Sequence, residues 1–193
     1  HAMEIAEEVA GGKTLPDELV QEILKRTDGV PLFIEELTKN LVECGVLVEH
    51  PDRFELAGAL PTLSVPNTLR DSLTARLDRL GDAKSVAQAG AVIGRSFGCE
   101  LAAVVADTSP DRLAEAMQRL VAAGLIVAQG HPSDIIYTFK HALVQDTAYR
   151  SMLSARRRAL HGRVAEVIEA RFSEMREREP EVLAHHWLEA GDT

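Results

Sequence analysis

Few side chains in the sequence are placed where they could do chemistry, and the most suggestive of them is His141. Ahead of it, Ile135, Tyr137 and Phe139 alternate with Ile136, Thr138 and Lys140, the two-residue period of a strand. Beyond it the spacing of Leu143, Val144 and Tyr149 is helical. A strand-to-helix junction leaves backbone N–H groups unpaired and carries partial positive charge, so a histidine there could face an anion. A residue that caps the helix or fills a polar gap in the core is the simpler reading, because a helix start accounts for a polar residue there on its own. On the residues alone both readings stand.

The other candidates are weaker. Gly11-Gly12-Lys13-Thr14 superficially resembles a phosphate-binding loop, but no glycine stands five residues before Gly12, no apolar strand precedes it, and Pro16 follows at once. A helix stop at Gly11-Gly12 and a helix start at Thr14-Leu15-Pro16-Asp17-Glu18 account for these residues. Glu35 and Glu36 are neighbours, so on a helix they diverge and cannot serve as a paired acid and base. His185 and His186 are likewise neighbours and cannot close a metal site with each other. Cys44 and Cys99 lie far apart with no metal-ligand spacing around them, and both read as reduced, small apolar fillers. No catalytic residue and no metal ligand is expected.

The 193 residues are 46% apolar but include only one Trp, two Tyr and five Phe, so the core must be built from Leu, Val, Ala and Ile, as in packed helices. No apolar run approaches the roughly 18–20 residues of a membrane helix, and no secretory leader is seen, which predicts a cytoplasmic protein without a membrane partner. His1-Ala2-Met3 reads as a cloning remnant ahead of a chain that begins inside a longer protein. The net charge of −9 is unevenly spread: residues 1–60 carry −8 and residues 139–163 carry +5. A basic strip in an acidic chain points to a local partner rather than to bulk nucleic-acid binding.

The elements that must hold His141 follow from the apolar spacing. Residues 1–60 read as helices with stripes at Leu19, Val20, Ile23 and Leu24 and at Leu32, Phe33, Leu37, Leu41 and Val42, then a small hairpin around Pro51-Asp52. Residues 57–66, with two prolines and a glycine, form a connector. Residues 61–150 give helices carrying Leu69, Leu73, Leu77 and Leu80; Val86, Ala89, Val92 and Ile93; Leu101, Val104 and Val105; and Leu113, Met117, Leu120 and Val121. A two-stranded wing of residues 125–127 and 135–139 follows, the order of a winged helix-turn-helix. Residues 151–193 are helical, with a solvated Arg156-Arg157-Arg158 run. The fold class is mostly α.

A winged helix invites a DNA-binding reading. The outer face of its third helix offers Asp111, Arg112, Glu115, Gln118 and Arg119, and the wing has neither Lys nor Arg, so this helix lacks the basic reading face that phosphate contacts need.

Four ordered motifs together resemble the STAND-type signalling ATPases, over nearly the whole chain. They are Thr27-Asp28-Gly29-Val30-Pro31-Leu32-Phe33-Ile34-Glu35-Glu36-Leu37-Thr38, Pro66-Asn67-Thr68-Leu69-Arg70-Asp71-Ser72-Leu73, Ala91-Val92-Ile93-Gly94-Arg95-Ser96-Phe97 and Phe139-Lys140-His141-Ala142-Leu143-Val144-Gln145. The nearest likeness is to the AAA+/NB-ARC-like modules attached to bacterial class III adenylyl or guanylyl cyclases or found in LuxR-type regulators. The resemblance implies that residues 1–60 are a helical lid, 61–150 a winged-helix domain, and 151–193 a linker and the first TPR-like repeat helices. It implies a regulatory fragment of a nucleotide-switched ATPase, not catalytic alone because the Walker A loop and the magnesium-holding acidic strand end are missing. ATP or ADP with magnesium would be bound in the full-length parent, whose upstream P-loop domain and downstream repeats are the implied partners. By position, Gly29 and Pro31 resemble the lid turn that packs its proline on the nucleotide base. His141 resembles the histidine that reaches the β-phosphate of ADP, although its neighbours differ from the Met-His-Asp form of that motif. Two other functions fit the residues: a DNA-binding winged-helix regulator, and a helical protein-interaction module.

Overall fold

Turn glycines and short apolar stripes divide the chain into short helices. A computed structural model describes residues 2–27, 29–43, 45, 47–58, 68–131 and 134–191, which form two compact units, His1–Arg76 and Leu77–Thr193. The chain is mostly α, with eleven helices and two small sheets among the described residues. None of these helices is long and apolar enough to cross a membrane.

In the first unit, α1 (Ala2–Val9), α2 (Asp17–Thr27) and α3 (Pro31–Glu43) enclose a core of Ala6, Leu19, Ile23, Ile34, Leu37 and Leu41. The hairpin β1 (Leu47–Glu49) and β2 (Phe54–Leu56) pairs antiparallel and adds Leu47 and Phe54 to that core. The Gly-Gly-Lys-Thr segment has a structural use here. Thr14 donates its N–H to the Asp52 carbonyl and accepts from the Phe54 N–H, at 3.2 and 2.8 Å, while the Lys13 ammonium reaches Glu49 at 2.5 Å and lies over the Phe54 ring.

Helix α3 is buried more widely than its apolar stripe predicts. Glu36, Thr38 and Asn40 are buried as well, whereas Leu32 and Val42 are only partly so. For Glu36 and Asn40 the reason lies in α4 (Leu69–Arg79), which brings polar groups to match them, whereas the Thr38 Oγ1 is buried without a hydrogen-bond partner. The Arg76 guanidinium meets the Glu36 carboxylate, the Ser72 hydroxyl donates to the Glu36 carbonyl at 3.2 Å, and the Asn40 amide donates to Ser72. The connector predicted over residues 57–66 lies, from residue 59 on, outside the described residues.

The second unit is arranged around α5 (Asp82–Ile93), whose Ala and Gly positions let neighbours approach on nearly every side. It is followed by β3 (Ser96–Gly98), α6 (Cys99–Ala106), α7 (Pro110–Ala122), β4 (Ile126–His131) and β5 (Asp134–Phe139). The sheet has the order β3-β5-β4, all antiparallel, so it is three-stranded where a two-stranded wing was predicted. Strand β3 earns its place through Phe97, whose ring packs on Tyr137 and Phe139 and fits over Gly90, where a Cβ would lie 2.5 Å from it. The Ser109 hydroxyl accepts the Arg112 N–H at the start of α7, and Asp111, Arg112, Glu115, Gln118 and Arg119 are all exposed, as the spacing predicts. Val121 is exposed too, against that prediction.

Helices α8 (Ala142–Arg150), α9 (Ser154–Arg171), α10 (Ser173–Arg178) and α11 (Pro180–Ala190) complete this unit. The charged segment before Pro180 forms the short helix α10. Met152, Val164, Val167 and Ile168 join Ala89, Val92, Leu101 and Val105 in one core, against which Val182 and Leu183 pack.

Candidate functional site

Gly29 takes a left-handed conformation, φ 72°, in the turn between α2 and α3. The Val30 N–H donates to the Thr27 carbonyl, and the Val30 carbonyl receives the Phe33 and Ile34 N–H groups, so Pro31 begins α3 where its missing donor is not needed. Phe33 and Ile34 plug the core while Gly29, Val30 and Pro31 remain exposed. The turn therefore shows solvent a small apolar surface.

His141 belongs to the second unit. Its backbone is extended (φ −132°, ψ 144°), and its carbonyl accepts the Val144 N–H at 3.0 Å at the start of α8. The side chain makes no capping hydrogen bond, and its Nε2 is buried with no hydrogen-bond partner. The junction is held firmly from both sides. Phe139 N–H donates to the Arg95 carbonyl and Lys140 N–H to the Leu125 carbonyl, each at 3.0 Å. On the helix side, Gln145 donates to the Ala91 carbonyl at 3.2 Å and Gln88 to the Ser151 hydroxyl at 2.9 Å, tying α8 to α5.

A second feature of this unit escaped the sequence reading. A cleft of about 820 Å³ opens between the end of α5 and helices α8, α9 and α11, with His161, His185, His186, Tyr149, Gln145 and Glu189 on its walls. His161 and His186 are both 2% exposed. Their Nδ1 atoms face each other at 2.8 Å, and His161 Nε2 meets the Tyr149 hydroxyl at 3.0 Å. The His185 ring stands 5.6 and 5.5 Å from the other two. Burial, reinforced by His161 and His185, pushes the His186 pKa down to about 4. Burial also lowers that of His161, opposed in part by Glu189. Among the described residues no three His, Cys, Asp or Glu side chains are placed to hold a metal ion. A signal for His161 was present: His161, Val164, Ala165 and Ile168 share one helical face, and all four are buried.

No protein-family model matches the chain. An uncharacterized protein of Rhizobium meliloti (strain 1021) is 34% identical over 151 residues, which is 78% of this chain and 14% of that protein's length. The chain thus spans a small part of that relative.

Proposed function

We propose that the chain is the regulatory portion of a cytoplasmic, nucleotide-switched signalling ATPase of the STAND type, in which a lid, a winged-helix domain and the first repeat-like helices couple nucleotide state to an output domain. The observation that carries the reading is His141, with a buried Nε2 that lacks a partner at the start of α8. An unsatisfied buried polar atom costs about 1–3 kcal/mol, so a group that completes its hydrogen bonding would be favoured there. Beside the N–H groups of a helix start, an anion is the fitting group. In this reading His141 donates from Nε2 to the β-phosphate of ADP, and the exposed Val30-Pro31 turn packs on the base. A P-loop domain elsewhere in the parent protein would hold most of the phosphate chain and its magnesium. The order α5-β3-α6-α7-β4-β5 is that of a winged helix, which supports the middle assignment.

The mixed charge exposed on α7 and the absence of Lys and Arg from β4 and β5 leave a DNA-reading function without a phosphate-binding face. ADP binding measured by calorimetry on this chain, on the full-length protein and on full-length His141→Ala tests the proposal. Tight binding by the full-length protein alone, weakened by one to two orders of magnitude in His141→Ala as expected for one charge-assisted hydrogen bond, supports it. No binding by the full-length protein, or unchanged affinity in a folded His141→Ala variant, refutes it.

A further inference from the structure

Two imidazoles whose Nδ1 atoms meet at 2.8 Å can form a hydrogen bond only if one nitrogen carries a proton and the other a lone pair. We propose that the His161–His186 pair is a proton-operated latch: α11 stays docked on α9 while the facing nitrogens share one proton, and leaves it once both are protonated.

The protonation states can be followed in order. In the neutral pair, one ring donates to the other, and His161 Nε2 exchanges a hydrogen bond with the Tyr149 hydroxyl. One added proton is tolerated, because an imidazolium on either ring can still donate to the lone pair that remains. A second leaves two N–H groups pointing at each other between residues that are each 2% exposed, with no lone pair left to accept either. The helices must then part or the rings must rotate outward.

The groups around the pair set when this happens. From α8 it is faced by Tyr149 and Asp146, from α9 by Arg157, and from α11 by Glu181, His185 and Glu189, while the end of α5 contributes only the uncharged Ala91, Val92, Ile93 and Gly94. Arg157 and His185 oppose protonation of His161, and Glu189 favours it. The net direction is downward for both rings, from the ordinary 6.5, to about 4 for His186. A histidine with a depressed pKa is neutral in the docked state, so docking is fully stabilised above pH 6.5 and is lost as pH falls from 6.5 towards about 4. Opening α11 would also remove Glu181, His185 and Glu189 from one wall of the cleft.

Trp187, the only tryptophan, adjoins His186 and donates to Glu169 at 3.3 Å, which makes it a reporter of α11 docking. Its fluorescence emission should shift to longer wavelength between pH 6.5 and about 4 in the wild type. In His186→Gln, whose amide can hydrogen-bond His161 without titrating, the shift should vanish, whereas Glu169→Gln should keep it. Loss of the shift in Glu169→Gln and its persistence in His186→Gln would assign it to the carboxylate and overturn the latch. Nitrogen-15 NMR of the wild-type imidazoles gives a separate test should His186→Gln not fold. One Nδ1 bearing a proton and one bare at neutral pH, both becoming protonated together with the Trp187 shift, is the expected result. Protonation of both without any change at Trp187 would end the proposal.

Discussion

Glu36 is fully buried on α3, and its carboxylate is met by the Arg76 guanidinium, which also reaches Glu43 at 3.6 Å. Withdrawing two charges from water is costly, and their mutual attraction with the hydrogen bonds around them offsets that cost only while both are present. Glu36→Ala should therefore destabilise the first unit by about 3–5 kcal/mol, and replacing both residues by apolar ones of similar size should cost much less; urea unfolding of the single and double variants checks this. Gly90 illustrates the opposite constraint, space. A methyl group there would press into the Phe97 ring, so Gly90→Ala should lose about 1–3 kcal/mol through overpacking, visible as a lowered melting temperature. Neither role was legible in the sequence. Phe33, Glu36 and Asn40 share a face by spacing, but spacing names no partner 40 residues away, and a glycine within an alanine-rich helix looks like any other small residue.

At the scale of elements, legibility followed length and periodicity. Helix α7 has a cap, a proline at its start and a regular stripe, and its exposed face agrees with the spacing except at Val121. Strand β3 has three residues and so almost no alternation to read, and its existence depends on pairing with β5, which no local pattern encodes. The alternation in β5 was long enough to place Phe139, which is completely buried. Phe139→Ala should cost about 3–5 kcal/mol, measurable by chemical denaturation; near-wild-type stability would mean that the sheet contributes little to this core. In α9, His161 is buried on one face with Val164, Ala165 and Ile168, but helical spacing does not name its partner His186 on α11, and so the paired histidines and the cleft beside them stayed hidden.

For the whole molecule, Gly29 and Pro31 lie in the first unit and His141 in the second, and the proposed function gives each a nucleotide contact. If a nucleotide engages both, then removing the His141 side chain should do more than weaken ADP binding. The full-length His141→Ala protein should show raised basal output, because the ADP-held arrangement loses a contact that the active one does not need. Output measured in cells against a folded control checks this, and unchanged output would count against the switch. These motifs were visible in the sequence because turns and helix starts are local. The arrangement of polar groups around them was not, because it is assembled from residues remote in sequence.

The hydrogen bonds between Thr14 and the hairpin also bear on how the chain acquires its structure. Thr14 is tied to Asp52 and Phe54, so α2 and α3 lie within a loop that closes only when the hairpin arrives. During synthesis the N-terminal helices would therefore remain without their closing strands until Phe54 had emerged, holding apolar faces open in the interval. The Gly-Gly-Lys-Thr segment would then matter most before the protein is finished, as the docking edge that ends this exposure.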